Sequence, residues 1–141
     1  MTDEILDFLV ELNKDKEIWV EYGIQSFYDE TLETINRGDS AENMRYWINR
    51  SKEKGLNVCG HLIYGLPNET QEMMLHGVKE TIRLNVDSIK IHPLYVVENT
   101  LLTNIYKKGQ FEPITEELYL DTLVKSIKMI PDEISLSRVT A

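Results

Sequence analysis

The sequence predicts an α/β chain of about three to four parallel strands with outer helices, and three observations predict it. Apolar residues recur at helical spacing in four stretches and at alternate positions in the stretches between them. The connections between successive strand-like stretches are of helix length, too long for hairpins, so the strands run parallel with right-handed crossovers. The chain has 141 residues, 42% hydrophobic and 28% charged, the composition of one globular domain over residues 1–141 with no Pro-, Gly- or Ser-rich divider.

The elements follow in order. "TDEILDFLVELNK" places Ile5, Leu6, Leu9, Val10 and Leu12 at helical spacing behind a Thr2 cap, predicting a helix over 3–13. "EIWVEYGIQS" reads as a strand over 17–25. A helical stretch over 29–54 breaks near Gly38 and stops at Gly55. "LNVCGHLIYG" is the second strand, and "NETQEMMLHGVKETIRLN" a helix with acidic residues early, as the helix dipole favours. "VDSIKIHPL" is the third strand, ended by Pro93. A loop of about twenty residues leads to "TEELYLDTLVKSIKMI", a helix capped by Thr115. "EISLSRV" reads as a closing strand.

Charge and cysteine count exclude several classes. The net charge is −9, from 24 acidic and 15 basic residues, which repels polyanions and argues against a general nucleic-acid-binding face. No apolar run approaches the roughly 20 residues that span a bilayer, and the amino terminus is acidic where a signal peptide is basic, so a cytoplasmic location is expected. One cysteine, Cys59, excludes an internal disulfide and cannot by itself hold a zinc or iron–sulfur site. No metal site is expected in this chain.

Side chains alternate faces along a strand, so each strand splits by parity. Val20, Tyr22 and Ile24 oppose Glu21, Gly23 and Gln25. Val58, Gly60, Leu62 and Tyr64 oppose Asn57, Cys59, His61 and Gly65. Ile89 and Ile91 oppose Ser88, Lys90 and His92. A doubly wound sheet is apolar on both faces, whereas one polar face per strand suits a barrel lumen. In (β/α) barrels functional groups gather at the carboxyl ends of strands, where Gln25, His61 and His92 sit. The plain alternative is polar groups satisfied by backbone or water. Eight βα units take about 250 residues, so this chain is expected to be either an open sheet or part of a partial TIM-type barrel. Two open edges predict association, for instance a homodimer pairing edges.

"EYGIQSFYDETLETINRG", with Asn36-Arg37 eleven and twelve residues after Gln25, followed by "VCGHLIYGLPNET" and "IKIHPLYVVENT", resembles the radical S-adenosylmethionine (SAM) superfamily. The resemblance covers nearly the whole chain. It points to the branch containing coproporphyrinogen dehydrogenase-like, elongator-like and YhcC-type Fe-S oxidoreductase proteins, and within it to the middle-to-late part of a partial barrel. It implies that Gln25 hydrogen-bonds the SAM ribose, a role for a group that donates and accepts. Arg37 is implied to pair with the SAM carboxylate as a two-pronged cation. Ile63 and the turn from Gly65 to Pro67 are implied to flank adenine, Gly65 leaving room for a ligand at the backbone. His61 departs from the porphyrinogen branch, which has aspartate there, and is implied to contact SAM or substrate. Lys90 and His92 face the lumen with Glu21, as substrate contacts; a Lys90–Glu21 ion pair is the other reading.

The superfamily's C-x3-C-x2-C motif and its Gly-Gly-Glu-type segment are missing from this sequence. The resemblance therefore implies a fragment of a radical SAM oxidoreductase, inactive alone, whose [4Fe-4S] cluster and full SAM grip belong to the complete protein, with an unnamed substrate. The competing expectation is a non-catalytic α/β binding or scaffold module. A metal or phosphate enzyme using His61 and His92 is the outlier, since no ligand pair or P-loop accompanies them.

Overall fold

The computed structural model describes residues 1–140. Four strands, β1 (Trp19–Gln25), β2 (Asn57–Tyr64), β3 (Ser88–Pro93) and β4 (Ser135–Arg138), form one sheet in the order β1-β2-β3-β4. Every neighbouring pair is parallel. The helices are α1 (Asp3–Leu12), α2 (Asp29–Thr34), α3 (Ala41–Glu53), α4 (Gln71–Arg83), α5 (Leu101–Lys107) and α6 (Glu116–Ile127). The expected break near Gly38 separates α2 from α3, and Gly38 has φ +69°. Helix α5 is a correction: it lies within residues 95–114, where the sequence predicts only a loop. Thr100 caps this short helix, its Oγ1 accepting from the Thr103 amide at 3.2 Å.

Local chemistry places these boundaries. Hydroxyls of Thr2, Ser40, Thr70 and Thr115 likewise accept from the amide three residues on, starting α1, α3, α4 and α6. Such a cap is worth about 1 kcal/mol. Helix α2 has no side-chain cap, but its Asp29 accepts from the Ala41 amide at 2.8 Å and so fixes the start of α3. Gly55, at φ +78°, ends α3, and the Leu56 amide reaches back to the Ser51 carbonyl.

Strand parity sets the layers as expected. Ile24, Val58, Leu62, Tyr64, Ile89 and Ile91 are buried against Met44 and Ile48 of α3, Met74 and Val78 of α4, and Tyr119 and Leu123 of α6. A smaller cluster of Leu6, Val20 and Leu56 seats α1. The second face of the sheet carries no helix among the described residues. Strands β1 and β4 each have one neighbour only, and α1 and α6 present second apolar stripes, Ile5, Phe8 and Leu12 on one and Leu120, Val124 and Ile127 on the other, all exposed. No helix among the described residues is long and apolar enough to cross a membrane.

Gly60 lets α4 approach the sheet. A β-carbon there would stand 2.9 Å from both Ile24 Cδ1 and Thr81 Cγ2. Gly60→Ala overfills this contact, and urea denaturation should show a loss of about 1–3 kcal/mol.

Candidate functional site

The uncovered face gathers most of the expected residues. His61 on β2 pairs in register with Lys90 on β3, and Ile63 with His92. All four are half-buried, whereas their strand neighbours Leu62 and Ile91 are fully buried. Glu21 reaches across β2 over the small side chain of Cys59, its register partner. Its Oε1 accepts from Lys90 Nζ at 2.5 Å, and its Oε2 lies 3.0 Å from His61 Nε2. The ion-pair reading of Lys90 is therefore the observed one. The His61 contact is short but off the line of a hydrogen bond, leaving Nε2 without an aligned partner.

These groups tune one another. The Lys90 hydrogen bond holds Glu21 below its ordinary range, against a smaller opposing effect of burial. Burial first, then the Lys90 charge, lowers His61, against a smaller pull from Glu21. His61 is consequently a neutral imidazole at pH 7, able to donate from one nitrogen and accept at the other. Glu21 remains half exposed, so the pair is worth only ~0.2–1 kcal/mol of stability. A ligand can rearrange it cheaply.

The carboxyl end of β1 is built differently. The pairing register with β2 slips between Tyr22 and Gln25. Arg37, at the turn after α2, donates from Nε and Nη2 to the Gly23 carbonyl at 3.0 and 2.9 Å. A β-carbon on Gly23 would stand 2.8 Å from Gln25 Nε2 and 3.3 Å from Arg37 Nη2. Both side chains therefore lie over the bare backbone of Gly23. Gln25 Oε1 is buried and has no hydrogen-bond partner. A buried acceptor left open costs about 1–3 kcal/mol, which marks it as a group awaiting a donor.

Gln25 has φ +65°, and the Ser26 amide donates to the Ile24 carbonyl at 2.8 Å around it. Ser26 is buried and its hydroxyl donates to Glu69 Oε1, from the turn ahead of α4. Burial pushes the Glu69 carboxyl above its ordinary 4.5, while hydroxyls of Ser26 and Thr31 partly offset it. The sequence reading missed Gly23, Ser26 and Glu69 as site residues. Only the glycine in "GIQS" was a visible signal, for a backbone that something must approach.

Gly65 has φ +81°, and a β-carbon there would stand 2.7 Å from Ile114, so its bare backbone receives the loop ahead of α6. Burial also pushes the Cys59 thiol up, against a lesser pull from Ser88, so it is a neutral core group.

A parallel sheet with helices packed on one face and polar side chains on the other defines a barrel-wall class of protein, and the comparisons place it further. Residues 1–80 match the radical SAM superfamily and residues 86–141 the radical SAM C-terminal domain. The chain belongs to the radical SAM superfamily. It is 36% identical over 141 residues to Escherichia coli (strain K12) protein YhcC and 33% identical over 140 residues to Bacillus subtilis (strain 168) protein YtqA. In each case it covers 99% of this chain but 45% and 44% of the relative, so it spans less than half their length. The solved archaeal Methanocaldococcus infernus Elp3, with N-terminal deletion 1–46, superposes with a TM-score of 0.87 at 29% identity, covering 96% of this chain and 32% of Elp3. The sheet is thus part of the TIM-barrel-like architecture of radical SAM proteins.

The residues present fit the two implied cofactors unequally. An open amide acceptor, a guanidinium and a neutral imidazole on one face suit a zwitterionic nucleoside such as SAM. An iron–sulfur cluster does not fit: the chain has one cysteine, it is buried and protonated, and no three metal-ligating side chains converge among the described residues.

Two variants probe the geometry. Gly23→Ala should leave the melting temperature nearly unchanged, because the atoms that must give, Gln25 Nε2 and Arg37 Nη2, are the far ends of flexible side chains. Binding of any ligand held by Gln25 and Arg37 should nevertheless fall, as calorimetry would read. For Glu69, whose folded-state pKa is raised, the favourable protonated form is fully present below pH 4.5 and lost as pH rises through the folded value. Glu69→Gln should therefore be more stable than the parent at pH 7, with the advantage shrinking toward pH 4.5 in thermal melts.

Proposed function

We propose that this chain forms the wall of a radical SAM enzyme that grips the ribose, carboxylate and adenine of SAM and borders the substrate space. The observation that carries the reading is the buried, unpartnered Gln25 Oε1 beside Arg37 over Gly23. Gln25 accepts from a ribose hydroxyl through Oε1 and donates through Nε2. Arg37, already held by the Gly23 carbonyl, turns its remaining donors toward the carboxylate at little further cost in side-chain freedom. Ile63 offers an apolar flank to the adenine, and neutral His61 a donor–acceptor pair. The Glu21–Lys90 pair and His92 face the substrate.

SAM, once bound, supplies the radical chemistry for which the superfamily is named. The thiolates that would hold a [4Fe-4S] cluster are not in this chain, so its own contribution is binding and orientation, in a cytoplasmic oxidoreductase, and the isolated chain is inactive. The open strand edges and the apolar stripes of α1 and α6 suit further βα units, or a second copy of this chain.

Titration with SAM, followed through amide resonances, should move Gly23, Gln25, Arg37, His61 and Ile63. Arg37→Ala should weaken binding about tenfold or more, since a charge-assisted contact is worth about 1.5–3 kcal/mol, and Arg37→Lys should not restore it. Unchanged affinity in Arg37→Ala would overturn the assignment.

A further inference from the structure

We infer that Ser26 and Glu69 are positioning residues: they latch the end of β1 into the turn that aims the Gln25 amide at the open face. This rests on the SAM-wall reading above and deepens it.

The backbone carries the argument. Five non-glycine residues among those described have positive φ, and four of them are asparagines, a residue that tolerates this region. Gln25 is the exception. The Ser26 amide bonds the Ile24 carbonyl two residues back, at 2.8 Å, around a residue with φ +65°. This is the γ-turn form that is rare and strained. Such a conformation persists only when its surroundings over-determine it, and it clusters at ligand-binding positions.

The surroundings here are specific. Ser26 is only 4% exposed, and its one hydroxyl serves two partners. Its Oγ accepts from the Tyr28 amide at 3.1 Å, tying the turn to the start of α2, and donates to the Glu69 carboxylate, tying it to the turn ahead of α4. Glu69 is itself set by its amide, which donates to the Leu66 carbonyl at 3.1 Å in the turn after β2. The turn is thus clamped from both flanking connections. Without the clamp, Gln25 relaxes toward negative φ, and its amide leaves the position over Gly23 where Oε1 waits buried and unpartnered. A carboxylate held at burial cost to accept from the hydroxyls of Ser26 and Thr31, both beside the turn, is hard to justify by packing alone.

Two readouts test this on the chain in solution. The intraresidue distance from amide to α-proton, short at positive φ, is read for Gln25 by nuclear Overhauser effect, and SAM affinity by titration. Ser26→Ala and Glu69→Ala should lose the positive-φ signature and bind SAM several-fold more weakly. Ser26→Thr and Glu69→Gln, which keep a hydroxyl and an acceptor, should retain both, and a melt confirms that each variant is folded. A signature that survives in the alanine variants overturns the latch. A lost signature with unchanged SAM affinity overturns the positioning role. If the parent itself fails to bind SAM, the SAM-wall reading falls, and with it the positioning role, while the Gln25 signature still decides whether the latch exists.

Discussion

Arg37 places two hydrogen bonds on a single backbone carbonyl, that of Gly23, and the open face of the sheet is organised around that grip. The slip in register at this point takes part of β1 out of the regular ladder, and the guanidinium satisfies the carbonyl there. The same contact anchors the α2–α3 connection to the sheet. With no side chain on Gly23, the guanidinium and the Gln25 amide can share one patch of backbone. Polar groups from β1 and from the α2–α3 connection are thereby brought together on one patch of backbone.

The rest of that face is arranged to stay adjustable. Tyr22 points to the helix side, where its hydroxyl joins Ser51 at 2.7 Å and the Trp47 carbonyl at 3.2 Å, locking β1 onto α3. One residue away, Glu21 meets Lys90 and His61 in a cluster that contributes little to stability. Adjacent positions of one strand thus do opposite work, rigid attachment on one side and exchangeable polarity on the other.

Much of this was legible in the residues because a strand's period is two. The alternation of Val20, Tyr22 and Ile24 with Glu21, Gly23 and Gln25 separates the faces without knowledge of the partner strands. Hydroxyl caps and glycine stops located the helices for the same reason: their chemistry is local. Helix α5 was missed because seven residues between two loops give barely two turns of periodicity. The contact between Gly65 and Ile114 was not legible because the two lie 49 residues apart in sequence, and a bare backbone does not announce what comes to it. The Gln25 turn was invisible for a similar reason. Nothing in "GIQS" signals positive φ, and the serine–glutamate contact that accompanies it joins residues 43 positions apart.

The sequential strand order also shapes how the molecule opens. Each strand is hydrogen-bonded only to the strands immediately before and after it in the chain, so protection of backbone amides is not uniform. The four-residue β4, largely exposed and with its register interrupted between Ile89 and Lys90, has the weakest claim on the sheet. Central β2, paired on both sides and buried on one face, has the strongest. Amide exchange should accordingly proceed inward from β4, with the ladder between β2 and β3 among the last to yield, so that breathing at the far edge leaves the Gly23 patch undisturbed.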